Sequence, residues 1–119
     1  MKSLIALLLL ASIASVSAAG SHPLACNLGA LSASERSRHD KLAHALWGSV
    51  LEHRELPNGY AFRLPGSSLV STAEWVALEH KCCPFFSFDL TQEEERGAVW
   101  LRITGTPQVK AFIAEELRL

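Results

Sequence analysis

This 119-residue chain lacks an excess of either charge: 11 Lys+Arg stand against 12 Asp+Glu, for a net charge of −1. No basic surplus points to nucleic acid, and no acidic block points to a solvating tail. Cysteine is scarce. Three residues are too few for a disulfide-dense mini-protein, and the number is odd. There is no G-x-S-x-G, H-E-x-x-H, P-loop or glycine-rich dinucleotide motif, which removes the common signatures of hydrolases and nucleotide-dependent enzymes. No second C-x-x-C pair and no H-x-x-x-H supports a zinc-finger spacing. No internal repeat is present, and 49% hydrophobic residues exclude a disordered chain. The length suits one domain.

What is present begins with a leader. Met1-Lys2 gives a short basic region, Leu4 to Leu10 is an unbroken apolar run, and Val16-Ser17-Ala18-Ala19 supplies small residues. This is the pattern of a secretory signal peptide over residues 1–18, with cleavage after Ala18 or Ala19. The apolar core is shorter than the ~20 residues of a membrane span, so no transmembrane anchor is expected after cleavage. Lipidation at Cys26 is disfavoured, because Gly20 to Pro23 separate it from the apolar core. Without residues 1–18 the apolar share falls to about 45% and the net charge becomes −2, ordinary for a globular domain. The expected location is periplasmic or extracellular, where disulfides are permitted.

Residues 19–31 read as a flexible start that contains Cys26. One domain follows over 32–119. Ser32 and Glu35 have capping-box spacing, and Leu42, Ala43, Leu46, Trp47 and Val50 mark a helical face that runs on to about His53. Pro57-Asn58-Gly59 is a turn, and Tyr60, Phe62 and Leu64 alternate as a half-buried strand. A second helix is expected to be capped by Ser71 and Glu74, with Val70 and Trp75 as a hydrophobic staple. Ala73, Val76, Ala77, His80 and Cys83 would form its inner face, with Pro84 ending it. Phe86, Phe88 and Leu90 form one strand of a hairpin and Val99, Leu101 and Ile103 the other. Thr106-Pro107 opens a last helix whose stripe is Val109, Phe112, Ile113 and Leu117. The order α-β-α-β-β-α predicts an α+β, two-layer fold, with a small three-stranded sheet and helices mainly on one face.

The local feature richest in chemistry is Glu79-His80-Lys81-Cys82-Cys83-Pro84. Adjacent cysteines seldom bond to each other, since neighbouring Cα atoms lie ~3.8 Å apart while disulfides prefer ~5.5–6 Å. Three readings stay open. Cys26, Cys82 and Cys83, with His80 or His39 as nitrogen ligands, suit a soft ion such as Cu(I), Zn(II) or Hg(II). Cys26 paired with Cys82 or Cys83 would close a loop of ~56 residues, contributing on the order of 4 kcal/mol. Alternatively, the thiols are inert and separately buried. A thiol enzyme needs a lowered thiol pKa, and the C-terminal end of a helix favours the uncharged form, so no catalytic residue is assigned. Glu93-Glu94-Glu95 and Glu115-Glu116 read as surface charge. Trp100, flanked on its polar face by Arg63 and Arg102, marks either a surface for another envelope protein or a ring covered by the N-terminal segment.

The stretches Glu55 to Arg63, Ala73 to Val76, Cys82-Cys83-Pro84-Phe85-Phe86-Ser87-Phe88 and Trp100 to Gly105 resemble a family of small bacterial proteins with a CCPFF-type motif. The resemblance covers roughly residues 26–117. It implies no activity, cofactor or ligand. Members of that family are mostly leaderless, so the leader departs from its pattern.

Overall fold

The computed structural model describes residues 24–119. The expected leader and the first part of the 19–31 segment lie outside the described residues. The fold is α+β: three helices and one four-stranded antiparallel sheet. Helix α1 spans Ala33–Gly48 and opens as its sequence predicts. Ser32 Oγ accepts from the Glu35 backbone N–H at 3.1 Å, and Glu35 Oε1 accepts from the Ser32 N–H at 3.0 Å.

The far end of α1 corrects the expectation. The helix stops at Gly48 rather than near His53, and Glu52–Leu56 form an additional strand, β1. Gly48 weakens the last turn, and the Ser49 hydroxyl donates to the Leu46 carbonyl at 2.8 Å, closing it. Strand β1 is polar along most of its length, so it carries no apolar alternation to read. Its position comes from pairing with β2, Gly59–Leu64, across the Pro57–Asn58 loop. Glycine is required at 59, where a Cβ would sit 2.0 Å from the Ile103 carbonyl oxygen of the next strand.

The remaining strands are β3, Ser87–Gln92, and β4, Val99–Thr104. The sheet order is β1-β2-β4-β3, not the three strands expected. Register places Phe62 opposite both His53 and Leu101. Tyr60, Phe62, Leu64, Val99, Leu101 and Ile103 are buried, as their alternation implies. Trp47 of α1 meets the Phe62 ring edge-on with centroids 5.0 Å apart.

Helix α2 spans Leu69–Cys82, beginning two residues before the expected cap. A single 3-10 turn at Gly66–Ser68 leads into it. The Ser71–Glu74 capping box does not form: the Ser71 hydroxyl donates to the Ser68 carbonyl, and Glu74 instead takes two hydrogen bonds from Arg38 of α1. Val70 is 79% exposed, so there is no staple. The buried face is Thr72, Trp75, Leu78, Glu79 and Cys82, whereas Ala73, Ala77 and His80 are exposed. Apolar area decides this phase. Burying Trp75 and Leu78 removes far more surface from water than burying two alanines. Trp75 packs edge-on against Trp47 at 5.5 Å and Phe88 at 5.9 Å.

Helix α3, Pro107–Leu117, forms as read, with Thr106 Oγ1 accepting from the Val109 N–H and Val109 and Ile113 buried. In the described part of residues 19–31, where a flexible start is expected, the chain is held down. The Asn27 N–H donates to the Cys82 carbonyl at 2.8 Å, Asn27 caps the turn Leu28–Ala30, and Leu31 is buried.

Candidate thiol centre

The last turn of α2 builds the site. Glu79, Cys82 and Cys83 are spaced i, i+3 and i+4, which places them on one side of the helix end. The turn is closed by the Cys83 N–H donating to the Glu79 carbonyl at 2.7 Å. The strap of residues 24–31 brings Cys26 to the same point, and Cys26 forms a disulfide with Cys83. Cys82 stays a free, buried thiol, with its sulfur 3.7 Å from the Cys83 sulfur and donating to the Glu79 carbonyl at 3.4 Å. The two adjacent cysteines therefore do not pair with each other.

Glu79 sits at the middle of this cluster. Its Oε1 lies 3.2 Å from the Cys83 sulfur, and its Oε2 lies 4.0 Å from the Cys82 sulfur and shares a hydrogen bond with His39 Nε2 of α1. Burial pushes the Glu79 carboxyl above its ordinary range. The bond and charge of His39 oppose that push, and the Glu116 carboxylate adds to it. Burial raises the Cys82 thiol as well, and the Glu79 charge raises it further.

Two ligand triads share the Glu79 carboxylate: Cys26, Glu79 and Cys83, and His39, Glu79 and Cys82. Within each, the donor atoms lie within 4.8 Å of one another. Soft sulfur, borderline imidazole and hard carboxylate thus meet at one point. Four of the five residues predicted as ligands, Cys26, His39, Cys82 and Cys83, come together. His80 does not join them. It is exposed on another side of α2, with its ring 6.3 Å from that of Phe88. Glu79 was missed from the sequence. Its i, i+3, i+4 relation to the cysteines is visible in the sequence, but the expected inner face of Ala73, Ala77 and His80 points it away from the core, whereas the observed face buries it.

Two cavities flank the cluster. One, of about 280 Å³, is walled by Cys26, His39, Trp47, Trp75, Glu79 and Phe112 among others. The second, of about 420 Å³, is bordered by Leu24, Cys26, His39, Glu79, Cys82 and Phe112 among others. The centre therefore has an apolar, aromatic cavity on one side and a second cavity bordered by Leu24, Cys26 and Cys82 on another.

On the other face of the sheet, Trp100 Nε1 donates to Glu93 at 2.9 Å, and the Arg54 guanidinium lies 4.7 Å over the indole. Arg102 approaches Asp89 at 3.6 Å and Arg63 approaches Glu52 at 4.0 Å. Arg54 covers the Trp100 ring from strand β1, while the N-terminal strap bonds to the C-terminal end of α2 instead. Arg63, Trp100 and Arg102 thus share one face, and each cation is answered by a nearby acid.

Among the described residues no helix is long and apolar enough to cross a membrane. No protein-family model, curated protein or solved structure matches this chain.

Proposed function

We propose that this is a small exported protein of the CCPFF-type family, a two-layer domain that takes up a soft metal or metalloid ion. Cys26, Cys82 and Cys83 supply thiolates once the disulfide is reduced, with Glu79 and His39 as supporting donors. One observation carries the reading: three sulfurs, a carboxylate and an imidazole from three separate chain segments converge beside two cavities. Glu79 is buried with His39 as its hydrogen-bond partner, so the pair is held together at the point where the sulfurs meet. In the oxidised form Cys82, Glu79 and His39 remain as a sulfur, oxygen and nitrogen set, which suits Zn(II) with one position left for solvent. Reduction adds two thiolates and shifts the preference toward Cu(I) or Hg(II).

The test is ion uptake by the fully reduced protein, followed by mass spectrometry under native conditions. Roughly one Hg(II) or Cu(I) per chain is expected, lost in the Cys82→Ser/Cys83→Ser double variant. No uptake by the reduced wild type overturns the reading. A second reading rests on the Cys26–Cys83 disulfide itself, which makes the protein a stapled interaction module with Trp100, Arg102 and Arg63 on its partner face. Uptake separates the two. A thiol redox activity is the least supported, since the raised Cys82 pKa works against a reactive thiolate.

A further inference from the structure

The aromatic cavity beside the sulfurs has no part in holding a bare ion. An inorganic soft ion needs only donors, of which Cys26, His39 and Glu79 border the cavity. The rest of its wall is mostly apolar, with Trp47, Trp75, Phe86 and Phe112 among its residues and the Glu116 carboxylate beside them. Cys26 and Glu79 belong to this wall, so the sulfur cluster and the aromatic space are continuous. A ligand held at Cys26 therefore has an apolar volume directly beside it. The cavity is about 280 Å³, room for a single small ring.

We propose that the centre is shaped for an organic derivative of a soft metalloid, a trivalent arsenical bearing one aryl group, with the arsenic on Cys26 and Cys83 and the ring in the aromatic cavity. The proposal rests on the soft-ion reading above and specifies its ligand. The two cysteines that hold the arsenic are already brought to bonding distance by the fold. The exchange is balanced without any redox change at arsenic. An aryl-As(OH)2 reacts with two thiols to give aryl-As(S-Cys)2 and two waters. Two As–O and two S–H bonds break, two As–S bonds form, and each thiol proton leaves on a hydroxyl. The Cys26–Cys83 disulfide must first be reduced: a phosphine gives it two electrons, water supplies the two thiol protons, and the phosphine leaves as its oxide. Inorganic arsenite has three exchangeable hydroxyls and would recruit Cys82 as a third thiolate. The aryl compound has only two, and its third substituent is the ring.

The experiment uses the full chain, reduced with a phosphine and desalted, and reads binding by isothermal titration calorimetry. Phenylarsenous acid, methylarsenous acid and arsenite are the probes. Phenyl and methyl share the same two-thiol chemistry, so their ratio isolates the ring. Phenylarsenous acid is expected to bind about tenfold more tightly than the methyl compound, or better, the scale of burying an aromatic ring. Phe112→Leu and Trp47→Leu should bring that ratio toward parity, the phenyl compound losing more affinity than the methyl compound. Melting curves of the same variants confirm that they fold. Cys82→Ser should weaken arsenite and spare the phenyl compound. Equal phenyl and methyl affinities in the wild type overturn the proposal, as does failure to bind any arsenical. Hg(II) uptake by the same reduced sample decides the soft-ion reading separately.

Discussion

At the scale of single residues, burial disfavours the charged form of both Glu79 and Cys82 within one cluster. Glu79 is a carboxyl held in a place that disfavours its charge, and that has a consequence for stability. A carboxyl whose folded pKa lies above its unfolded one favours folding fully at pH below its ordinary value of 4.5, and that contribution is lost as pH rises through the folded pKa. Wild-type stability is therefore expected to fall as pH climbs from 4.5 toward neutrality. Glu79→Gln keeps a polar group beside His39 but has no charge to bury. Its melting temperature should gain on the wild type with rising pH. Parallel melting curves for the two proteins from pH 4.5 to 7.5 would show that the carboxyl is not strained. Cys82 gives the complementary measurement. With Cys26 and Cys83 paired, it is the one free thiol among the described residues, buried and with its pKa raised above 9.0. Alkylation of the folded oxidised protein should stay slow through pH 9 and become rapid in denaturant, read as a single mass addition. Fast labelling at pH 7 would mean an exposed or activated thiolate and would revive a redox role.

At the scale of elements, the two serine caps separate what is local from what is not. Ser32 caps α1 through a full reciprocal box. Ser71 has the same spacing to Glu74 but sits inside α2, where its hydroxyl bonds to the Ser68 carbonyl. Ser32→Ala should lower stability by about 1 kcal/mol, whereas Ser71→Ala should change it by under about 0.5 kcal/mol, both measured by urea unfolding. The contrast also explains what the sequence makes legible. The caps of α1 and α3 and the alternation in β2 and β4 are written within a few residues, and the fold follows them. The start and phase of α2 are set by Trp75 and Leu78 finding the core and by Glu74 finding Arg38, contacts that no short window contains. Strand β1 is invisible for a related reason. Its residues are polar on both faces, and pairing with β2 alone makes them a strand. The candidate site was legible in the same measure. Cysteines and His39 stand out by residue type, but Glu79 needed the correct helical phase, and Arg54 over Trp100 needed β1.

At the scale of the molecule, the disulfide ties the start of the described chain to the end of α2. The bridge spans 57 positions and encloses α1, β1, β2 and α2 in one covalent loop. By the chain-entropy argument, opening such a loop releases about 4 kcal/mol of unfolded-state freedom. Two further ties act on the native side, the Asn27–Cys82 backbone hydrogen bond and buried Leu31. These keep the strap seated when the covalent bond is gone, so the reduced protein should remain folded at neutral pH with Cys26 still beside the other sulfurs. That coexistence of a large constraint and an independent seat is what an ion site built on reduction requires. Cys26→Ser should therefore lower the unfolding free energy by roughly 3–4 kcal/mol in denaturant while leaving the far-ultraviolet circular dichroism of the native state unchanged. Cys82→Ser, which leaves the bridge intact, should cost about 1–2 kcal/mol through loss of a buried, well-packed thiol. If instead Cys26→Ser unfolds the chain outright, the bridge is a structural staple that cannot be opened in the native protein. The three-thiolate centre would then have no folded state in which to form.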